Sequence, residues 1–303
     1  EQKISEAMAK AMAEDPTLLA TRSAQTHELV LSGMGDVHLN VSLSRFKRRY
    51  SLDVETKLPK VPYRETITAS AEGHYRHKKQ TGGAGQFGEV YLRVEPLDRE
   101  AEAAAGEDEG RKRGKKKRIL ESTDDFEYVD QIFGGSIPSQ FLAPIGKGIT
   151  EAMNEGILAG YPLQAVRVIV YDGKHHPVDS KEIAFRIAGR GAFRDAVRNA
   201  RPTLLEPHVN ISITVPDRFL GDITGDLNSR RGRIQSMDTE GGGLQTIYAQ
   251  VPLAEVLRYD TELRSITAGQ GSYSMEFSHY EAVPAHVQQQ IVAAFEASRE
   301  EKQ

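Results

Sequence analysis

Asp172 to Glu182 reads DGKHHPVDSKE, where side chains able to do chemistry crowd together: two adjacent imidazoles, two lysines, two aspartates and a serine. Adjacent histidines raise metal or proton chemistry. Neighbouring side chains in an extended loop diverge, however, and no third ligand of metal type stands at a usual spacing, so a loop facing solvent or RNA is the better reading. His74 and His77 flank Tyr75-Arg76, and on a strand that spacing places them on opposite faces, where they extend a basic strand with Lys78 and Lys79. The glycine-rich stretch QTGGAGQFG, which holds Gly82, Gly83, Ala84, Gly85 and Gln86, invites a nucleotide reading. A phosphate cradle needs strand, GxxxxGK[ST] and helix in that order; here a strand follows and no Lys-Ser or Lys-Thr closes the run. In APIGKGIT, Ala143 to Thr150, Gly148 stands where the magnesium-binding hydroxyl would be needed. With no Ser, His and Asp grouping and no paired-acid spacing, the chain shows no catalytic constellation and no metal site.

The basic residues fall in three groups. Arg186, Arg190, Arg194 and Arg198 recur every fourth residue of a helical stretch, with Phe185, Phe193 and Val197 toward another face. Like charges so stacked cost about 0.2–0.5 kcal/mol each on an isolated helix. Such a stripe needs either an external anion or carboxylates from neighbouring elements, and sequence leaves both open. Arg230, Arg231 and Arg233 form a second cluster, and Arg111 to Arg118, RKRGKKKR, is the densest run. The last follows the acidic, alanine-rich AEAAAGEDEG; such composition cannot bury a core and reads as the excursion of a hairpin.

At 303 residues the chain accommodates two or three domains, each with its own core. A hydrophobic share of 39% and a charged share of 27% belong to a soluble globular protein, and no apolar run reaches the ~18 residues of a membrane span. The absence of cysteine excludes disulfides and thiolate metal sites. With no secretory leader in the first residues, a cytoplasmic protein is expected.

Three segments follow. Residues 1–64 open with a helix carrying Ile4, Met8 and Met12, continue through strand-like runs at Leu18–Thr21 and Glu28–Leu31, a helix with Leu39, Leu43 and Phe46 on one face, and a strand around Leu52 to Val54. This is a ferredoxin-like split βαβ sandwich without its first strand, so the chain reads as a fragment. Residues 206–303 repeat that grammar in full. Ile211, Ile213 and Val215 alternate as a strand; a helix carries Leu220, Ile223 and Leu227; Leu244 to Val251 is a strand; a helix from Pro252 runs through Ile266; and Tyr273, Met275 and Phe277 alternate, before a tail helix from about Ala285. Residues 65–205 differ, with long strands at Tyr63–Gly73 and Glu89–Val94, helices at about Pro138–Gly156 and Ser180–Asn199, and a strand at Leu163–Tyr171. The fold class expected is α+β.

Longer motifs carry a resemblance. EDPTLLATRSAQTHELVLSGMGDVHLNVSLSRFKRRYSLDVETKLPKVPYRETI resembles the third domain of translation elongation factor G. KQTGGAGQFG, FGGSIPSQFLAPIGKGI, ILAGYP, VDSKEIAF and LLEP look like its fourth domain, and GDITGDLNSRRGRI, VPLAEVLRYDTELRS and SYSMEFSHY like its fifth. The resemblance implies two ferredoxin-like sandwiches flanking an elongated arm domain similar to ribosomal protein S5, with a GTPase domain, its GTP and its magnesium outside this chain and no cofactor within it. It implies a monomer working on the ribosome, in contact with 16S and 23S rRNA, tRNA and mRNA, and no membrane. The arm tip, which in this family enters the decoding A site on the small ribosomal particle during translocation, matches two loops here. These contain Gly82, Gly83, Ala84, Gly85 and Gln86, and Lys174, His175, His176, Asp179, Ser180 and Lys181, with His176 at the position of the tip histidine. Lys174-His175, Pro177 and Lys181 depart from the usual pattern and make the tip more basic and stiffer. The arginines at 186, 190, 194, 198, 230, 231 and 233 are further candidates for RNA contact. A paralogue acting in ribosome recycling or protection, and a free-standing RNA-binding module, remain as alternatives.

Overall fold

The computed structural model describes residues 2–23, 26, 28–80, 85–99 and 118–300. The chain forms two compact units, residues 63–205 with 282–303, and residues 1–62 with 206–281.

In the first of these, β4 (Ala71–Lys79), β5 (Gln86–Pro96), β6 (Arg118–Ser122), β7 (Phe126–Asp130) and β8 (Val166–Lys174) form a sheet in the order β4-β5-β8-β7-β6. All neighbours are antiparallel except β7 and β8, which are parallel and joined through α3 (Leu142–Glu155). Alternate residues Val90, Leu92 and Val94 of β5 and Val166, Val168 and Val170 of β8 point into one core with Ile145 and Ile149 of α3 and Phe185, Ala188, Ala192 and Phe193 of α4 (Glu182–Asn199). Period two on the strands meets a helical stripe on the helices, so one apolar face closes on the other. The two helices are unusually close: a Cβ on Gly148 would lie 2.1 Å from the backbone oxygen of Arg186, and one on Gly189 would lie 2.9 Å from that of Ile145. Gly148, weighed above as part of a failed phosphate motif, is thus a packing residue in mid-helix.

The long strand expected over Tyr63–Gly73 is two strands, β3 (Arg64–Ile67) and β4. Thr68 and Ala69 donate their N–H groups to the carbonyl of Ala200, which turns the chain between them. β3 pairs with the start of β9 (Pro202–Pro216), through residues 202–205. Beside it lies a second cluster of Ala159, Leu204 and Val283 with Tyr63, Tyr161, Val287, Ile291 and Phe295. The tail helix α7 (Ala285–Glu300), read in sequence with the last segment, therefore packs in this unit; Gln288 accepts the N–H of Leu204 at 3.0 Å and Phe295 covers Gly160.

In the other unit, β9, α5 (Leu220–Ser229), β10 (Arg233–Glu240), β11 (Leu244–Pro252), α6 (Tyr259–Thr267) and β12 (Ser272–Ala282) follow one another, and the sheet order β10-β11-β9-β12 is that of a ferredoxin-like sandwich. Val209, Ile211, Ile213 and Val215 face Ile223, Leu227, Tyr259 and Leu263 of the helices. β10 is polar and almost wholly exposed, so no alternation announced it. The helix expected from Pro252 to Ile266 is broken into a 3₁₀ turn at Leu253–Glu255 and α6. The guanidinium of Arg230 takes the carbonyl of Glu255, which a continuous helix would have offered to Tyr259 N–H; that N–H goes to Val256 instead. Tyr273 packs on the core while Met275 and Phe277, further along the same strand, are exposed.

Residues 1–62 supply α1 (Gln2–Glu14), β1 (Leu19–Arg22), β2 (Leu29–Ser32) and α2 (Asp36–Tyr50), with Ala7, Leu18 and Phe46 at the centre of a small core. The strand expected at Leu52–Val54 does not form. Leu52 and Val54 keep the alternation by turning partly inward, but among the described residues β1 and β2 pair only with each other and no ladder reaches this stretch, which runs on to Pro59 and Pro62.

The buried His208 is expected to make this unit acid-sensitive. His208 is 5% exposed, stacks on His279 at 5.5 Å and lies 3.9 Å from the Glu281 carboxylate. Burial pushes its pKa below the ordinary 6.5, outweighing the pull of Glu281 and Glu206. The hydrogen bond from His279 holds Glu281 below its ordinary 4.5. Because the folded state keeps His208 neutral, the unfolded chain takes up that proton first; this stability is full above pH 6.5 and is lost as pH falls from there toward the depressed folded value, Glu281 adding a loss in the same direction below 4.5. The melting temperature of this unit should therefore fall between pH 7.5 and 5.5, and fall less in His208→Gln. Calorimetry at the two pH values checks this; a rise on acidification contradicts it.

Candidate nucleic-acid interface

Antiparallel pairing of Glu89 with Lys174 brings the start of β5 and the end of β8 to one edge of the sheet, so the start of β5 meets the loop after β8. They do so through backbone groups and the Ser180 hydroxyl. Phe87 N–H donates to Asp179 O at 2.9 Å, and Ser180 Oγ donates to Phe87 O at 2.9 Å while accepting His176 N–H at 2.8 Å. Ser180 N–H closes the turn onto His176 O at 3.1 Å. Gly85 leaves room for this seam, since a Cβ there would lie 2.6 Å from the Asp179 carboxylate. Gly82, Gly83 and Ala84 lie outside the described residues, as does the basic run from Arg111 to Lys117.

The imidazole of His176 is oriented by its own turn. The N–H groups of Val178 and Asp179 point at Nδ1 from 3.3 and 3.2 Å, so Nδ1 accepts and Nε2 carries the proton. The ring meets the edge of Phe87 at 6.5 Å, and the guanidinium of Arg76 lies 5.4 Å over the Phe87 ring. His175 turns the other way, its Nδ1 3.1 Å from Ser136 O. Lys174, His175, His176, Val178 and Lys181 are exposed, whereas Asp179 and Ser180 are half-buried and bonded inward. Four of the nominated tip residues thus present cationic or donor groups outward and two hold the turn. Phe87, Arg76 and Ser136 were missed because their parts depend on contacts between distant segments.

The arginine groups behave differently. Arg186 bonds Glu151 at 3.0 Å, Arg190 bonds Glu155 at 2.6 and 2.8 Å, and Arg194 shares Glu155. Carboxylates of α3, 35 and 39 residues away in sequence, thus answer the stripe from within. Only the exposed Arg198 has no described side-chain bond. Arg230 pairs with Asp226 and Glu262; Arg231, with φ 61°, forks onto the buried carboxylate of Glu206 and onto Glu255; Arg233 reaches Glu281 at 3.0 Å. Hydrogen bonding to Glu206 raises Arg231 above its ordinary value despite burial, as Asp226 does for Arg230. These two hold β9, α5 and the 3₁₀ turn together.

His74 stacks on Tyr91 at 4.1 Å with Nε2 2.9 Å from Glu89, and His77 meets Gln86 at 3.0 Å, as residues of one basic strand. Among the described residues no cluster of His, Asp and Glu is arranged to hold a metal, and no helix is long and apolar enough to cross a membrane.

Known proteins are similar to this chain in sequence and fold. Residues 1–58 match elongation factor G domain III, residues 59–109 and 109–201 its domain IV, and residues 203–291 the elongation factor G C-terminus. Elongation factor G of Petrotoga mobilis is 42% identical over 97% of this chain, and that of Thermotoga maritima 43% identical over 96%. An elongation factor G-like protein of Thermotoga maritima is 41% identical over 96%. This chain spans 39% of the length of each. A crystal structure from Thermus thermophilus superposes with a TM-score of 0.78 at 41% identity, covering 98% of this chain and 41% of that one. The chain belongs to the elongation factor G family, of which it carries domain III, domain IV and the C-terminal domain.

Proposed function

We propose that this chain is the ribosome-engaging part of a translational GTPase that promotes translocation of tRNA and mRNA, with residues 174–181 and the β4–β5 hairpin entering the decoding A site on the small ribosomal particle. The observation that carries the reading is the seam between Phe87 and the 174–181 loop, which holds the exposed His176 imidazole with Nδ1 facing the N–H groups of Val178 and Asp179, in a turn that also exposes Lys174 and Lys181. Such a surface meets phosphate and sugar rather than base sequence, which suits a factor that acts on every codon. GTP and magnesium are assigned in this reading to a GTPase domain outside this chain. The work done here is steric: the tip occupies the space that the tRNA leaves. The protein acts as a monomer in the cytoplasm and touches 16S and 23S rRNA, tRNA and mRNA.

Replacing His176 by Ala in the full-length factor should slow single-turnover mRNA translocation by about tenfold or more, the equivalent of ~1.4 kcal/mol or more of lost charge-assisted hydrogen bonding. Multiple-turnover GTP hydrolysis on ribosomes and the melting temperature should stay near wild type. Unchanged translocation, or a loss matched by lower melting, would contradict the reading.

A further inference from the structure

Strand β4 is the outermost strand on its side of the sheet, and Arg76 and Lys78 stand exposed on one face of it. His74 N–H points away from β5, to Asp195 Oδ2 at 3.1 Å, and the pairing with β5 runs without a bulge, so the N–H groups of Arg76 and Lys78 face the open edge in the same sense. Arg76 lies across the ladder from Glu89, and Lys78 from Phe87. Glu89 is buried and turned to other groups, His74 Nε2 at 2.9 Å and Tyr91 Oη at 3.1 Å; Asp172, paired in register with Tyr91, reaches neither cation. Among the described residues Arg76 and Lys78 have no carboxylate partner. The guanidinium of Arg76 rests instead over the Phe87 ring at 5.4 Å, and the ring's other neighbour is the His176 imidazole.

Lysines on an edge strand are ordinary guards against strand addition, and Lys78 alone would mean no more. Arg76 differs. Arg186, Arg190 and Arg194 are each matched to a carboxylate, whereas this guanidinium is held on a ring with its fork of N–H donors unspent. Such a seat orients the cation and leaves its donor edge open to two oxygens of one ligand. Two residues apart on a strand, Arg76 and Lys78 are separated by about 6.6–6.8 Å, close to the step between consecutive phosphates of a nucleic-acid strand. An acidic peptide laid along this edge as a further strand would need His74 N–H, which Asp195 already holds. A ribose-phosphate chain needs no such ladder: its phosphates only accept, and its 2′-OH can donate to an edge carbonyl. We propose that Arg76, seated on Phe87, and Lys78 form a phosphate-binding track along the edge of β4 that receives a strand of RNA. The proposal rests on the RNA-facing reading above and adds to it two phosphate contacts on the strand behind the tip.

Affinity for ribosomes awaiting translocation is measured across a range of salt with the full-length factor carrying Arg76→Gln, Arg76→Lys or Lys78→Gln, and the translocation rate of His176→Ala is measured in parallel. Arg76→Gln and Lys78→Gln should each lower the slope of log affinity against log salt by about 0.7–0.9, the effect of one phosphate contact removed, and should bind more weakly at low salt. Arg76→Lys should keep the slope yet lose about threefold in affinity, because an ammonium keeps the charge and not the fork. Melting temperatures should not move, both side chains being exposed. A benzophenone carried on Lys78→Cys should attach to RNA on illumination. Unchanged slopes in both Gln variants while His176→Ala is slow overturn the track and leave the RNA-facing reading standing. Arg76→Lys binding as well as wild type, or attachment of the benzophenone to a protein instead of RNA, also overturns it. If the Gln variants and His176→Ala all behave as wild type, both fall. Weaker binding that goes with lowered melting makes these packing residues and likewise overturns the proposal.

Discussion

Glu65→Ala is expected to destabilise the unit formed by residues 63–205 and 282–303 by about 3–5 kcal/mol. Glu65 is fully buried, and its carboxylate accepts four backbone N–H groups, from Ile157 and Leu158 on one oxygen at 2.7 and 2.9 Å and from Ala159 and Tyr161 on the other at 2.8 and 3.1 Å. The loop that gives these donors cannot supply its own acceptors. Gly156 and Gly160 hold it at φ 70° and 78°, and its N–H groups converge on one point instead of running along a ladder. Ala at 65 would leave one buried and three half-buried donors unpaired. Gln would keep one acceptor oxygen and turn an NH₂ toward N–H groups, so its cost should lie between the two. Because this loop also presents Leu158 and Ala159 to the cluster that seats α7, amide exchange in α7 should accelerate together with exchange in residues 156–161. Denaturant titration and hydrogen exchange measure both; a loss below about 1 kcal/mol would mean that water replaces the carboxylate.

Gly148→Ala should cost about 2–4 kcal/mol, although in an ordinary helix interior the same change would stabilise by about 0.5–1 kcal/mol. The added methyl would lie 2.1 Å from the Arg186 carbonyl oxygen and 3.2 Å from Arg190 N. Both are backbone atoms of α4, so no rotamer change relieves the clash and the helices must part. Parting them also lengthens the bonds from Glu151 and Glu155 to Arg186, Arg190 and Arg194. Denaturant titration of the variant, with Gly225→Ala as a control whose Cβ would meet nothing within 4 Å, isolates the packing effect. A gain in stability would show that α3 and α4 are not so closely apposed.

Strand and helix periods made most of the architecture legible: Val90, Leu92 and Val94, or Ile211, Ile213 and Val215, cannot be hidden except on one side of a sheet. What escaped sequence reasoning shares a cause, namely that the partner lies far away in the chain. The arginine stripe could not be told from an anion site because Glu151 and Glu155 sit on another helix. Glu65 left no trace in any pattern, since its partners are backbone amides that any residue would supply. The Leu52–Val54 stretch shows that alternation records burial, whereas a strand also needs a neighbour to complete its ladder. The candidate tip loops are nominated by family motifs and the crowding of His, Lys and Asp. The parts played by Ser180 and Phe87 in joining them needed coordinates.

The central claim is that residues 174–181 go to the decoding region of the ribosome, and one measurement tests it most directly. This chain has no cysteine, so Val178→Cys, in a full-length factor free of other reactive thiols, can carry a tethered iron chelate that cuts nearby RNA with hydroxyl radicals. The account predicts strand scission confined to the decoding-region rRNA and to the mRNA and tRNA held there, appearing only when the factor is bound. Cleavage centred elsewhere on the ribosome, or none from a bound and labelled factor, would contradict it.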